Sequence, residues 1–225
     1  MLFVVVSLHA NSSELDVRWT GYKNQVLQHQ SKIDGWCNQQ KATGMMDLIY
    51  EVKPELCVEV GVFGGSSIYP TASALKFLGQ GIVCAIDPWR HEDCLEGYDA
   101  NDVNYQWWSK VDLEAIYQGF LRVLNRFHLQ PYCHVMRMTG LEALNTFADG
   151  SIDILHIDGN HTKDSALSDA EMYLPKVKQG GYIWFDDVNW ASTAQACQFL
   201  KQHCVKIEAL STDEYYLFHN VSPNN

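Results

Sequence analysis

Leu56-Cys-Val-Glu-Val-Gly-Val-Phe-Gly-Gly-Ser-Ser67 decides how the rest of the chain is read. Its apolar run from Leu56 to Val62, broken only by Glu59, has strand length. Near-continuous apolar character marks a strand buried on both faces, as in a parallel sheet. Gly61, Gly64 and Gly65 let the backbone turn tightly and come close to a ligand. Ser66 or Ser67 can cap a helix running through Ala72 to Leu78. Strand, glycine turn and helix start together form the place where open α/β sheets hold nucleotide-like ligands.

Working outward, the next apolar run, Gly81 to Asp87, reads as a second buried strand ending in an acid. An acid at that point, roughly 20 residues past the glycine turn, suits ribose hydroxyls. Ile152 to Ile157 reads as another buried strand and delivers Asp158 at its exit, followed by Gly159, Asn160 and His161. His156 lies within that strand and reads as a structural histidine. Tyr182 to Phe185 leads to Asp186 and Asp187 in the same way. If these strands are parallel neighbours, Asp158, Asp186 and Asp187 share one sheet edge with the glycine turn. Clustered carboxylates repel unless a cation neutralises them. Oxygen ligands suit Mg²⁺, Ca²⁺ or Mn²⁺, and His161 beside them is placed to act as a general base.

Helical spacing runs over Met45–Val52 and Leu113–Phe127. Short helices are expected over Leu141–Phe147, Ser165–Lys176 (stopped near Gly180-Gly181) and Thr193–His203. His134 to Met138 is strand-like, and Val205–Leu210 with Glu214–His219 reads as a closing hairpin. Residues 11–53 form an N-terminal helical cap whose aromatics, Trp19, Tyr22 and Trp36, are expected in the core or over the cofactor. The apolar start, Met1 to Ala10, lacks the basic region of a secretory leader and is too short to span a bilayer; a first strand or docking segment is expected. Residues 88–112 are acidic and aromatic and read as a lid that shapes the acceptor site, with Trp107 and Trp108 foremost.

The net charge of −11 argues against a nucleic-acid surface. Seven cysteines, an odd number without a CxxC pair, indicate a reduced chain in the cytoplasm and give no zinc signature. The expected fold is a Rossmann-like, doubly wound, mostly parallel seven-stranded sheet ending in an antiparallel hairpin. One domain is expected over 1–225, with a cap over 1–53 and an α/β core over 54–220.

Glu59-Val-Gly-Val-Phe-Gly-Gly-Ser-Ser67, Ala85-Ile-Asp-Pro-Trp89, Ile157-Asp-Gly-Asn-His161 and Gly180-Gly-Tyr-Ile-Trp-Phe-Asp-Asp187 resemble the class I S-adenosylmethionine-dependent methyltransferases. The resemblance is nearest to metal-dependent small-molecule O-methyltransferases acting on sugar hydroxyls. It implies S-adenosylmethionine held by Glu59, Gly61, Phe63, Gly64, Gly65 and Ser66, with Asp87 on the ribose and Met138, Thr139 and Gly140 near adenine. It implies a divalent metal, Mg²⁺ first, on Asp158, Asp186 and Asp187. His161 and Asp158 are then the catalytic pair, and the partner is a small acceptor bearing a hydroxyl. Neither nucleic acid nor membrane is expected as a partner, and a homo-oligomer is compatible with the reading. The rivals are an NAD(P)-binding oxidoreductase, which would need the absent G-x-G-x-x-G, and a non-catalytic cofactor-binding module.

Overall fold

The apolar runs become strands because each has helices or strands to cover both faces. A computed structural model describes residues 2–221, with side chains from residue 14 onward. The strands are β1 (Leu56–Val60), β2 (Ile82–Ile86), β3 (Cys133–Met136), β4 (Ile152–Ile157), β5 (Val177–Asp186), β6 (Val205–Lys206) and β7 (Tyr215–His219). They form one sheet in the order β3-β2-β1-β4-β5-β7-β6. β1 to β5 run parallel, while β7 is antiparallel to both β5 and β6. The strand order reverses direction at β1, so the exits of β1 and β4 flank the crevice where this architecture binds ligands.

The helices are α1 (Leu2–Gln30), α2 (Gln39–Val52), α3 (Ile68–Leu78), α4 (His91–Cys94), α5 (Val103–Trp108), α6 (Leu113–Arg126), α7 (Gly140–Ala143), α8 (Lys163–Tyr173) and α9 (Ala194–His203). One apolar cluster joins α1, α2, α3 and α6 to one sheet face, through residues such as Trp19, Met46, Leu75 and Phe120. A second joins α7, α8 and α9 to the other, through Ala143, Ala170, Tyr173 and Leu200. Ile86 and Leu155 are fully buried in the middle strands. Truncating either to alanine would cost about 2–5 kcal/mol, from lost transfer energy and an unfilled cavity.

Four local expectations are corrected. Leu2 to Ala10 continues α1 rather than forming a strand; a short apolar run has no periodicity that separates the two states. Whether its side chains dock lies outside the described residues. Gly180 and Gly181 do not stop a helix. Pro175 ends the helical stretch in a 3-10 turn, and β5 then runs through both glycines. A Cβ on Gly181 would fall 2.9 Å from Asp153 O, so the close approach of β4 and β5 requires glycine there. The closing hairpin forms, but β6 is only two residues long and is followed by a 3-10 turn over Glu208–Leu210. Neither Ser66 nor Ser67 caps α3 through its side chain. Ser67 Oγ donates to Glu59 Oε1, and Ser66 Oγ accepts from Cys37 N at 3.1 Å.

Among the described residues, no helix is long and apolar enough to cross a membrane. All seven cysteines are free, six of them buried.

Candidate active site

The glycine turn after β1 is shaped by its neighbours. Gly61 N donates to Ile86 O and Asp158 N donates to Val60 O, which locks the exits of β2, β1 and β4 together. A Cβ on Gly61 would lie 1.9 Å from Asp158 O, so a side chain cannot enter where the two exits pass. Gly61 also has φ +87°, a conformation open mainly to glycine. Gly64 and Gly65 serve packing: a Cβ on Gly64 would meet Asp34 and one on Gly65 would meet Phe120. Asp87 holds the turn from β2. Its Oδ2 accepts Val62 N and Phe63 N at 3.0 Å each, and its Oδ1 accepts Trp89 N at 2.8 Å. Burial pushes the Asp87 carboxyl up, with these backbone donors pulling against it.

A cavity of about 1380 Å³ opens over these exits. Of the residues predicted from sequence, Gly61, Phe63, Ser66, Asp87, Thr139, Gly140, Asp158, His161, Asp186 and Asp187 line it. Glu59, Gly64, Gly65 and Met138 do not stand in its wall. Glu59 is 1% exposed and turned into the sheet, where Oε2 lies 3.0 Å from His156 Nδ1. Thr139 and Glu142 form a reciprocal cap on α7, with Thr139 N donating to Glu142 Oε2 and Glu142 N to Thr139 Oγ1. The segment 88–112 carries α4 and α5 and lines the cavity through Pro88, Tyr98, Trp107 and Trp108. Asn160 Nδ2 ties it to the β4 exit by donating to Glu96 O at 3.0 Å. Trp36 is 69% exposed rather than in the core. Its ring lies 4.9 Å from that of Phe63 and 5.5 Å from that of Trp107, at the same cavity.

Asp158, Asp186 and Asp187 do converge, but in two overlapping groups. His156, Asp158 and Asp186 have donor atoms within 4.8 Å of one another, as do Asp158, His161 and Asp187. The consecutive acids part because Asp187 adopts φ +53°, a left-handed conformation that aspartate tolerates better than most residues. Asp187 Oδ2 lies 2.5 Å from His161 Nε2, while Asp158 Oδ1 is 3.7 Å from the same nitrogen. Asp186 Oδ2 meets Lys41 Nζ and lies 3.4 Å from His156 Nε2. Sequence reasoning missed both cations of this inner group. His156 reads as structural because it lies mid-strand. Lys41 sits in a polar helix start that gives no sign of facing inward.

The groups shift one another. Burial alone would lower His161, but Asp158 and Asp187 override it and hold the ring up at about 10. Burial and Lys41 would likewise lower His156, yet Glu59 and Asp186 raise it to about 9. Burial would raise Asp186, but Lys41 and His156 hold it well below the usual carboxylate range. Asp158 is pushed up to about 6 by burial and by Asp186. The acids are thus faced by Lys41 and by two histidines whose charged forms they favour.

A sequence profile described as "Methyltransferase domain" matches residues 58–188, more than half of the chain. The chain belongs to this methyltransferase family. The glycine turn, Asp87 and the acid cluster all fall within the matched span. An uncharacterized protein, y4gI, of Sinorhizobium fredii is 25% identical over 143 residues, 63% of this chain. The chain spans 14% of that relative's length. The SAH-bound Podospora anserina methyltransferase PaMTH1 superposes with a TM-score of 0.61 at 10% identity, covering 93% of this chain and 94% of the other. A Bacillus cereus O-methyltransferase, solved in complex with SAH, gives a TM-score of 0.57 at 16% identity, covering 90% and 91%. Both likenesses concern the fold.

Proposed function

We propose that this methyltransferase moves the methyl group of S-adenosylmethionine to a hydroxyl oxygen of a small molecule, assisted by a divalent metal, Mg²⁺ first. One observation carries the reading: the glycine turn, Asp87 and the Asp158–His161–Asp187 group open onto the same cavity. The turn and Asp87 would hold the cofactor, and Gly140 with Thr139 would border its base. Residues 88–112 and Trp36 would shape the acceptor's side and exclude water.

The donor set fits a hard cation. Asp158, Asp186 and Asp187 supply carboxylate oxygens, and Asp186 Oδ1 is buried without a hydrogen-bond partner among the described residues. When bound, a divalent metal would supply Lewis acidity that lowers the pKa of an acceptor hydroxyl. His161 is the residue to receive that proton, at Nε2. Asp158 and Asp187 favour the charged ring, which strengthens its hold on that proton. A divalent metal held by the same carboxylates would weaken that pull and would let His161 act as a base nearer neutral pH. The acceptor oxygen then attacks the sulfonium methyl in line, and S-adenosylhomocysteine leaves.

The reading treats residues 1–225 as a single domain with 1–53 as its cap. It sets nucleic acid aside on the net charge of −11, sets a membrane partner aside, and favours a reduced compartment, the cytoplasm, on the free cysteines. Self-association is compatible with it. A thermal shift experiment tests it. Saturating S-adenosylhomocysteine raises Tm, because it binds only the folded state, and NADH does not. A shift with NADH and none with S-adenosylhomocysteine would return the oxidoreductase reading.

A further inference from the structure

A lysine is almost never fully buried unless an anion meets its ammonium. Lys41 is 3% exposed. It stands in the first turn of α2, where the side chain of the N-cap residue Asn38 accepts its backbone N–H at 2.8 Å. Ala42, Met45, Met46 and Ile49 bury the same helix in the core, which fixes its rotation. Nζ is therefore carried inward, hydrogen-bonds Asp186 Oδ2 and lies 4.0 Å from Asp158 Oδ2. Asp186 Oδ1, on the other side of that carboxylate, has no hydrogen-bond partner among the described residues. Lys41 lies outside the span 58–188 that carries the family match, yet it lines the cavity beside the acids within that span.

We propose that Lys41 is the built-in counter-ion of the acid cluster: it holds Asp158 and Asp186 together in the cation-free protein and opposes any divalent cation placed on the same carboxylates. The N-terminal helical segment thus sets how tightly the site takes its metal. The inference rests on the metal reading given above. Its physics is simple. Two carboxylates brought this close repel, and an ammonium between them relieves the repulsion. The same ammonium repels a second cation at the same oxygens, where partial burial weakens solvent screening. Lys41 therefore acts through Asp158 and Asp186 as a positioning residue.

The test compares wild type with Lys41→Met, which keeps an apolar stem of similar length and loses the charge. Calorimetry gives the Mg²⁺ affinity, and thermal unfolding in EDTA gives the cation-free stability. Lys41→Met should bind Mg²⁺ at least tenfold more tightly than wild type. It should melt lower in EDTA and regain the difference in saturating Mg²⁺. A packing role alone would lower Tm without raising metal affinity. Equal or weaker Mg²⁺ binding by Lys41→Met overturns the proposal. If Lys41→Met does not fold in EDTA, Lys41→Met/Asp186→Asn removes one charge of each sign and should restore a Tm close to wild type; failure to do so makes Lys41 a packing residue and also overturns it. Absence of Mg²⁺ binding in both wild type and Lys41→Met removes the metal reading and the competition with it, while the EDTA melting comparison still decides whether Lys41 is the counter-ion.

Discussion

One cavity holds two kinds of partly buried aspartate. In one group, Asp158, Asp186 and Asp187 are met by Lys41, His156 and His161. Nearby in the same wall, Asp169 of α8 stands between two glycines. Its Oδ1 and Oδ2 lie 3.3 and 3.0 Å from where a side chain on Gly140 or Gly159 would begin. Among the described residues no cation meets Asp169, and burial alone pushes its carboxyl up to about 7. Asp186, also withdrawn from water, is instead held below the usual range, with Lys41 the leading opponent of burial. Residue type is the same and both acids are partly buried. What differs is the partner that another element brings, and that partner decides which acids stay ionised.

The largest expected effect separates the two kinds of aspartate by chemistry. His161→Ala should lower turnover by about a hundredfold or more, the usual loss for a general base, while Mg²⁺ and S-adenosylhomocysteine still bind. Steady-state rates with calorimetry check this. Turnover within a few-fold of wild type would remove His161 from the reaction.

A smaller effect separates them by stability. Asp169 has a folded value of about 7 against an ordinary 3.8. Between those values the folded protein holds a proton that the unfolded chain has released. The contribution of Asp169 to stability therefore falls as pH rises through about 4 to 7 and levels off above. Asp169→Asn removes that loss. Its Tm advantage over wild type should be absent near pH 4 and reach about 5 °C above pH 7. Melting curves across pH check this, and a constant offset at every pH would show that Asp169 is not titrating in that window.

Much of the architecture was legible because its signals are local. β1, β4 and β5 announce themselves as apolar runs ending in glycine or acid, and the parallel sheet then forces Asp158, Asp186 and Asp187 to one edge. Lys41 was not legible. A charged residue in the first turn of an amphipathic helix normally faces water, and only the packing of α2 on the sheet turns it inward. Of the two places expected for Trp36, it is not in the core but stands exposed at the cavity, because it lies in the bend between α1 and α2 rather than on a buried helix face. Gly180-Gly181 misled because a glycine pair marks a helix stop as readily as a close approach between strands. The cavity wall was legible in part. Glu59 belongs to the right strand, but its side chain points into the sheet toward His156, a direction that pattern alone does not give.

The most direct test of the account is a calorimetric titration of Mg²⁺ into protein saturated with S-adenosylhomocysteine, for wild type, Asp158→Asn, Asp187→Asn and Asp169→Asn. Asp158 belongs to both donor groups, and Asp187 to the one that contains His161. The account predicts saturable binding to wild type and Asp169→Asn, and its loss or severe weakening in Asp158→Asn and Asp187→Asn. Binding that survives in Asp158→Asn, or that disappears in Asp169→Asn alone, would contradict it.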